Sequence, residues 1–147
     1  MLTTDQKGAI AEAAIASTAV KLGIGVYAPV FDSGARYDLI FELGGRLFRV
    51  QCKWAPRYGD VVVVRCYSTR RARDGLRRRT YTVDDTDLIA AYCPQLDRCF
   101  VIGPERFTIR SETRLRVGPC RNNQKRGVLW ADDYALEAVL LTDTQGP

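Results

Sequence analysis

The sequence contains no histidine, few lysines, one methionine and no long apolar run. Without an imidazole, the chain cannot form a Ser-His-Asp or Cys-His catalytic site. Five cysteines are present, but no two of them have C-x-x-C spacing, and a zinc site without histidine would need four of them. We therefore expect reduced cysteines, as in a cytoplasmic protein.

Segments that would direct the chain to a membrane are also missing. No apolar run approaches the roughly 18 residues of a membrane span. The N-terminus, MLTTDQKGAIAEA, lacks the basic and apolar regions of a secretory signal. We expect one domain over residues 1–147, because this length fits a single core and 46% hydrophobic residues exclude a disordered chain.

Positive charge is abundant and comes mainly from arginine. The net charge is +5, with 18 arginines against four lysines. Segment 65–79 has seven arginines and segment 106–126 has six, each with one acidic residue. Guanidinium groups pair with phosphate through two parallel hydrogen bonds, so these segments favour a phosphate-bearing partner. An exposed arginine-rich surface without a partner explains the charge equally well.

The residue pattern predicts an α/β domain. Thr3 and Gln6 form a capping box for a helix from Asp5 to Leu22, which Gly23 ends. Small and apolar residues suggest which side packs on a sheet: Ile10, Ala13, Ala14, Ser17 and Val20. Strands are predicted in DVVVVRCYS (60–68), DLIAAYC (87–93), RCFVIG (98–103) and FTIRSETRLRV (107–117). A C-terminal helix is predicted in VLWADDYALEAVLL (128–141).

The stretch RYDLIFELGGRLFRVQCKW, residues 36–54, reads as a β-hairpin. A two-residue Gly44-Gly45 turn makes paired residue numbers sum to 89. The predicted apolar pairs form one face: Tyr37 with Cys52, Leu39 with Val50, and Phe41 with Phe48. The same register places Asp38 opposite Gln51, with Lys53 further along that face. A carboxylate, an amide oxygen and a lysine together suit a hard cation beside a phosphate, although an exposed sheet face with a weak ion pair is the alternative.

The hairpin resembles motifs II and III of the PD-(D/E)XK nuclease superfamily, with Gln51 where most members have an acid. The helix before it resembles the G-x-x-x-E helix of that superfamily, here Gly8 to Glu12. The Gln variant and the tail RNNQKRGVLWADDYALEAV are similar to the bacterial branch that contains group I intron homing endonucleases. The resemblance covers most of the chain, although Tyr37 replaces the proline that names the superfamily.

The resemblance implies a restriction-endonuclease-like core, a mixed β-sheet flanked by an N-terminal and a C-terminal helix. It implies that Asp38 is the central metal ligand, with Gln51, Glu12 and the backbone carbonyl of Cys52 as further ligands. Lys53 corresponds to the catalytic lysine. Mg²⁺ is the expected cofactor, with Mn²⁺ substituting, and cleavage is expected to leave 5′-phosphate and 3′-hydroxyl ends.

The expected partner is double-stranded DNA, gripped by a basic segment at about 65–82. The amide side chains of the run Asn122-Asn123-Gln124 could read adenine edges, and a turn-forming loop is equally plausible. The candidate DNA-binding residues are Arg65, Arg70, Arg71, Arg73, Arg77, Arg78, Arg79, Arg114, Arg116, Asn123 and Gln124.

The sequence therefore predicts a Mg²⁺-dependent endodeoxyribonuclease of homing or restriction-like type. Cleavage of both strands requires at least two active sites, so a homodimer or higher homo-oligomer is expected. Two alternatives remain open. One is a structure-selective nuclease similar to Holliday junction resolvases. The other is an inactive DNA-binding protein of the same fold, because Gln51 removes one negative charge from the site.

Overall fold

The computed structural model of the chain describes residues 1–119 and 126–144, without the side chains of 142–144. The helices are α1 (Thr4–Lys21), α2 (Pro104–Phe107) and α3 (Leu136–Thr144), with a 3-10 helix at Ala131–Tyr134. The strands are β1 (Gly25–Tyr27), β2 (Leu39–Leu43), β3 (Arg46–Trp54), β4 (Arg57–Tyr58), β5 (Val61–Arg65), β6 (Tyr67–Ala72), β7 (Gly75–Thr80), β8 (Leu88–Cys93), β9 (Arg98–Ile102) and β10 (Glu112–Arg116).

Helix α1 begins with the predicted capping box. The Thr3 N–H donates to the Gln6 side chain at 2.9 Å, and the Gln6 N–H donates to the Thr3 hydroxyl at 3.1 Å. Two N–H groups at the helix start are thus satisfied. The helix ends before Gly23, whose φ of 83° is in the left-handed region that favours glycine.

The predicted packing side of α1 was wrong. Its buried residues are Ala11, Ile15 and Ala19, whereas Ile10 and Val20 are exposed. Small apolar residues surround this helix on several sides, so the sequence shows no single apolar stripe. The observed orientation leaves Glu12 half-buried beside the packed side rather than exposed.

A five-stranded mixed sheet forms the centre of the domain, in the order β1-β2-β3-β8-β9. Strands β3 and β8 run parallel, and the other neighbours are antiparallel. Because parallel strands need a long connection, the chain between β3 and β8 has room to build β4 to β7. Strands β4 and β5 join β10 in a second sheet, while β6 and β7 form a separate hairpin.

The predicted strand 60–68 is divided between these two units. Strand β5 pairs with β10, and the chain leaves that sheet at Cys66, whose N–H donates to the Ser111 carbonyl at 2.8 Å. Strand β6 then begins at Tyr67 and pairs only with β7 among the described strands. The arginine-rich segment therefore forms the β6–β7 hairpin, called the arginine hairpin below. It starts immediately beyond a buried strand.

Hydrophobic cores lie on both faces of the central sheet. Helix α1 and Leu136 of α3 pack with Phe41 and Val50 on one face, while Val62 and Val64 of β5 pack against the other. The predicted C-terminal helix begins later than expected, at Leu136. Among the described helices, none is both long and apolar enough to span a membrane.

Candidate active site

The β2–β3 hairpin has the register predicted from its apolar residues. Leu39 pairs with Val50, and Phe41 pairs with Phe48. Gly44 and Gly45 both have positive φ, at 55° and 78°, as the two-residue turn requires. Val50 is buried beneath α1, so alternation directs Gln51 and Lys53 to the opposite face of β3.

Asp38 lies immediately before β2 and is bound to β3. Its N–H donates to the Val50 carbonyl at 2.8 Å, and its Oδ2 accepts the Cys52 N–H at 2.9 Å. The ladder ends at the Leu39–Val50 pair, one position short of the predicted Asp38–Gln51 pair. The carboxylate is therefore held in place by the backbone of the strand that carries Gln51 and Lys53.

Burial raises the pKa of Asp38 above its ordinary value of 3.8, and two contacts oppose that rise. The hydrogen bond from the Cys52 N–H and the positive charge of Lys53 both favour the ionised carboxylate. Lys53 is thus close enough to Asp38 to act on it electrostatically.

Glu12 belongs to the same group although it is distant in sequence. Burial raises the pKa of its carboxyl above the ordinary value, and the negative charge of Asp38 raises it further. The pKa of the Cys52 thiol is raised as well, first by burial and then by the negative charges of Asp38 and Glu12. Glu12 of α1 therefore lies close enough to Asp38 to interact with it electrostatically.

The amide of Gln51 is oriented by its neighbour. Its Nε2 donates to the Cys52 carbonyl at 3.3 Å, and within the described part of the chain no side-chain or backbone group donates to its Oε1. In this orientation the oxygen is the end of the amide that can bind a cation. Both predicted neutral ligands, Gln51 and the Cys52 carbonyl, thus lie side by side.

Lys53 is held by residues at the base of the arginine hairpin. Its Nζ donates to the Tyr67 carbonyl at 2.9 Å and lies 4.8 Å from the centre of the Tyr81 ring. Tyr81 is 4% exposed, and the Arg36 guanidinium lies 4.2 Å from the same ring. The sequence pattern predicts neither Tyr81 nor Arg36 as part of the site, because only the folded chain brings them beside Lys53.

Arg36 connects the arginine hairpin to the segment that leads into the β2–β3 hairpin. Its guanidinium donates to the carbonyls of Thr80 (3.1 Å) and Arg79 (2.9 Å) and to the hydroxyl of Ser68 (2.7 Å). It also forms an ion pair with Asp85 at 2.7 Å, with both side chains largely buried. Arg36 precedes Asp38 by two residues, so the two hairpins are joined close to the carboxylate.

The arginine hairpin presents guanidinium groups on both of its faces. The β6–β7 register pairs Arg70 with Arg77, which places two positive charges directly opposite each other. The opposite face carries Arg71 and Arg78, and the Arg78 guanidinium lies 4.6 Å from the Tyr67 ring. All six arginines of the hairpin are exposed: Arg70, Arg71, Arg73, Arg77, Arg78 and Arg79.

The other predicted DNA-binding residues lie outside this hairpin. Arg65 ends β5 and is exposed, and Arg114 is exposed on the neighbouring β10. The guanidinium of Arg116 donates to the carbonyls of Gly118 and Pro119 at 3.0 and 2.9 Å, so it also supports the backbone. Asn123 and Gln124 lie outside the described residues.

The chemistry of this cluster fits a hard divalent cation. Glu12 and Asp38 supply two carboxylates, the charge of Asp38 raises the pKa of Glu12, and Gln51 and Cys52 supply neutral oxygens. Within residues 1–119 and 126–144, no three acidic, histidine or cysteine side chains form a metal-binding group. An ion here would therefore depend on the amide and carbonyl oxygens as well, a ligand set typical of Mg²⁺.

We expect Asp38→Asn to stabilise the metal-free protein, increasingly so as pH rises. Folding raises the pKa of Asp38, so the stability contributed by its protonated form is lost as pH rises through the folded-state pKa. Asparagine keeps an oxygen for the Cys52 N–H but carries no charge. The difference in melting temperature between the variant and wild type, measured in EDTA, should be small near pH 4 and grow towards pH 7. A wild type that is the more stable protein at pH 7 would contradict this account.

Comparisons with known proteins identify a family and a similar structure. None of the curated proteins matches the chain. The structure of a bacterial homing endonuclease, I-Ssp6803I, is similar, with 29% sequence identity, a TM-score of 0.77, and coverage of 97% of this chain and 95% of that one. The sequence model of the PD-(D/E)XK endonuclease family matches residues 2–137. The chain therefore belongs to the PD-(D/E)XK endonuclease family.

Proposed function

We propose that this protein is a Mg²⁺-dependent endodeoxyribonuclease, with Mn²⁺ able to substitute. The observation that carries the proposal is that the Asp38 carboxylate is bound to the backbone of the strand that carries Gln51 and Lys53, within electrostatic range of Glu12 and Lys53. Membership of an endonuclease family supports phosphodiester hydrolysis as the chemistry. Free cysteines among the described residues agree with a cytoplasmic location, which stays a prediction.

Four groups would hold the metal ion: the carboxylates of Asp38 and Glu12, the Oε1 of Gln51 and the carbonyl of Cys52. When bound, a divalent ion supplies Lewis acidity towards a phosphate oxygen and lowers the pKa of bound water. The Cys52 N–H keeps the Asp38 carboxylate oriented, and the Cys52 carbonyl keeps the Gln51 amide oriented. The site is therefore organised by backbone groups of β3 before any ion arrives.

Lys53 would act on the substrate. Its ammonium is close enough to Asp38 to favour the ionised carboxylate, which places positive charge beside the proposed metal position. In this position it can orient the attacking water and stabilise the negative charge that develops on the phosphorane. Water attack in line with the 3′ oxygen leaves 5′-phosphate and 3′-hydroxyl ends.

The arginine hairpin would hold the DNA backbone. Arg77 pairs with Asp74 at 2.8 Å, but the hairpin still carries an excess of exposed arginines, with Arg70 directly opposite Arg77, as suits a surface that meets anions. The hairpin is fastened to the active site through Arg36, so phosphates bound by the hairpin lie near the scissile bond. This arrangement supports double-stranded DNA as the substrate.

We further propose a homing-type or restriction-like enzyme that cuts both strands. The similarity to a structure described as a bacterial homing endonuclease favours this type. The chain provides one catalytic cluster in its described part, so paired cuts require a homodimer or a higher homo-oligomer. The second candidate, a structure-selective nuclease, has the same chemistry and differs in its substrate.

Cleavage of supercoiled plasmid tests the proposal. We expect nicked and linear products with Mg²⁺ or Mn²⁺, none in EDTA, and none with Asp38→Ala. Cleavage of a four-way junction in preference to linear duplex would favour the structure-selective enzyme. DNA binding without cleavage under any divalent ion would instead indicate an inactive DNA-binding protein.

The salt dependence of DNA binding identifies which face of the hairpin meets phosphate. We expect at least one of two double variants to weaken binding to all DNA sequences alike. One is Arg70→Ser with Arg77→Ser, and the other is Arg71→Ser with Arg78→Ser. Each lost phosphate contact should reduce the slope of log K against log salt by about 0.9. Fluorescence anisotropy without divalent ions measures both quantities in the absence of cleavage.

Arg98→Ser is the control for removal of positive charge outside the hairpin. Arg98 lies on β9 and pairs with Asp132 at 3.0 Å, away from the hairpin strands. We expect its slope to equal that of wild type. If both double variants also keep the wild-type slope, the hairpin does not bind DNA.

A further inference from the structure

Both ends of the arginine hairpin meet at the amino group of Lys53. Tyr67 is the first residue of β6, and Tyr81 directly follows the last residue of β7. The Tyr67 carbonyl accepts the hydrogen bond from Lys53 Nζ at 2.9 Å, and the Tyr81 ring lies 4.8 Å from the same nitrogen. The hydrogen bond and the ring contact of the ammonium therefore come from the two residues that open and close the hairpin.

The ring of Tyr81 is fixed on several sides. It is 4% exposed and belongs to the core cluster that includes Val64 and Cys66. The Tyr81 N–H donates to the Cys66 carbonyl at 3.2 Å, which closes the base of the hairpin. Arg36 lies against the ring and is itself bound to the carbonyl of Thr80. The ring is thus a rigid surface rather than a mobile side chain.

A lysine ammonium needs such a surface because its four-carbon stem is flexible. A cation over a buried aromatic face is attracted by the negative face of the ring. With the carbonyl of Tyr67 and the ring of Tyr81 both engaged, few positions remain for the Lys53 nitrogen. Catalysis by electrostatic stabilisation depends on such preorganisation, because a small displacement of the charged group lowers the rate.

We propose that Tyr81 is a positioning residue for Lys53, so that the base of the DNA-gripping hairpin sets the position of the catalytic ammonium. This inference rests on the proposed nuclease function of Lys53. Tyr81 acts through Lys53 and does not touch the substrate. Binding of DNA by the hairpin and placement of the lysine are then two properties of one structural unit.

The contact between Lys53 and Tyr81 is measurable without catalysis. The chain has four lysines, so NMR of protein with ¹³C-labelled lysine gives four sets of side-chain signals. The ε-methylene signal of Lys53 is identified as the one that is missing in Lys53→Arg. In wild type this signal should lie upfield of the ε-methylene signal of Lys21. The shift should persist in Tyr81→Phe and disappear in Tyr81→Leu. Lys7, which lies 5.9 Å from the Trp54 ring, should keep its own shift in both variants.

Cleavage kinetics test the functional half of the inference. Loss of a desolvated cation–π contact should lower the Tyr81→Leu single-turnover rate by about tenfold, while the Kd for DNA stays within about twofold of wild type. Tyr81→Phe keeps the ring and should cleave at nearly the wild-type rate. A Tyr81→Met variant provides an unbranched replacement if leucine disturbs the core.

Three results would overturn the inference. The first is a Lys53 signal in wild type without a ring-induced shift, which needs no variant. The second is a folded Tyr81→Leu or Tyr81→Met protein that cleaves like wild type. The third is an equal loss in Tyr81→Phe and Tyr81→Leu, which would point to the hydroxyl rather than the ring. Failure of the proposed function would look different, because wild type itself would then be inactive.

Discussion

Replacement of either Asp38 or Lys53 by alanine should abolish metal-dependent cleavage while the fold and DNA binding persist. Asp38→Ala removes the carboxylate that the backbone of β3 orients through the Cys52 N–H. Lys53→Ala removes the positive charge that favours the ionised form of that carboxylate. Loss of one group that stabilises a charged transition state costs on the order of 10²–10³ in rate. We expect at least that loss for Lys53→Ala in single-turnover assays.

Lys21→Ala is the charge-matched control. Lys21 lies in the last turn of α1, and its removal lowers the net charge by the same amount as Lys53→Ala. It should cleave at the wild-type rate, and both lysine variants should bind DNA with similar affinity in EDTA. Undiminished cleavage by purified Asp38→Ala or Lys53→Ala would exclude this cluster as the active site.

Gln51→Leu should be almost as inactive as Asp38→Ala, whereas Gln51→Glu should change the metal dependence. Leucine keeps an approximate volume but supplies no oxygen to an ion. Glutamate supplies an additional negative charge, so cleavage should saturate at a lower Mg²⁺ concentration. The maximal rate should fall with glutamate, because the new carboxylate competes with substrate phosphate for the charge of Lys53. A Mg²⁺ titration of cleavage by all three proteins measures these effects.

The hydrogen bond of Gln51 adds a second expectation. Its Nε2 donates to the Cys52 carbonyl, a contact that glutamate cannot replace because an ionised carboxylate only accepts hydrogen bonds. Gln51→Glu should therefore melt at a lower temperature than wild type in EDTA, and Mg²⁺ should raise its melting temperature by more. An active Gln51→Leu protein, or an unchanged Mg²⁺ dependence in Gln51→Glu, would remove Gln51 from the site.

The hairpin that carries the site could be predicted closely because two independent local signals agree. Alternation placed Leu39 and Phe41 on one face, and the Gly44-Gly45 turn fixed the register. A shift of the strand pairing by one residue would expose all the apolar side chains of this face. Only one register therefore buries them. Family resemblance then added Glu12, which no local pattern connects with the hairpin.

Features that depend on tertiary placement could not be predicted in this way. Helix α1 has small residues on several sides, so its sequence does not show which side is buried. Packing on the sheet buries Ile15 and leaves Ile10 exposed. The strand 60–68 has no breaker at Cys66, yet the chain changes sheets there. The contacts of Lys53 with Tyr67 and Tyr81 follow from that change, so sequence reasoning predicted the lysine but not what holds it.

Direct observation of a bound metal ion tests the central claim most closely. Crystals of wild type and of Asp38→Asn should be soaked in Mn²⁺ and measured for anomalous scattering from manganese. We expect one peak in wild type, with the Asp38 carboxylate and the Oε1 of Gln51 as ligands and the Glu12 carboxylate bound directly or through water. The peak should be absent in Asp38→Asn. A wild-type crystal without a peak at this cluster, under conditions in which the enzyme cleaves DNA with Mn²⁺, would contradict the account.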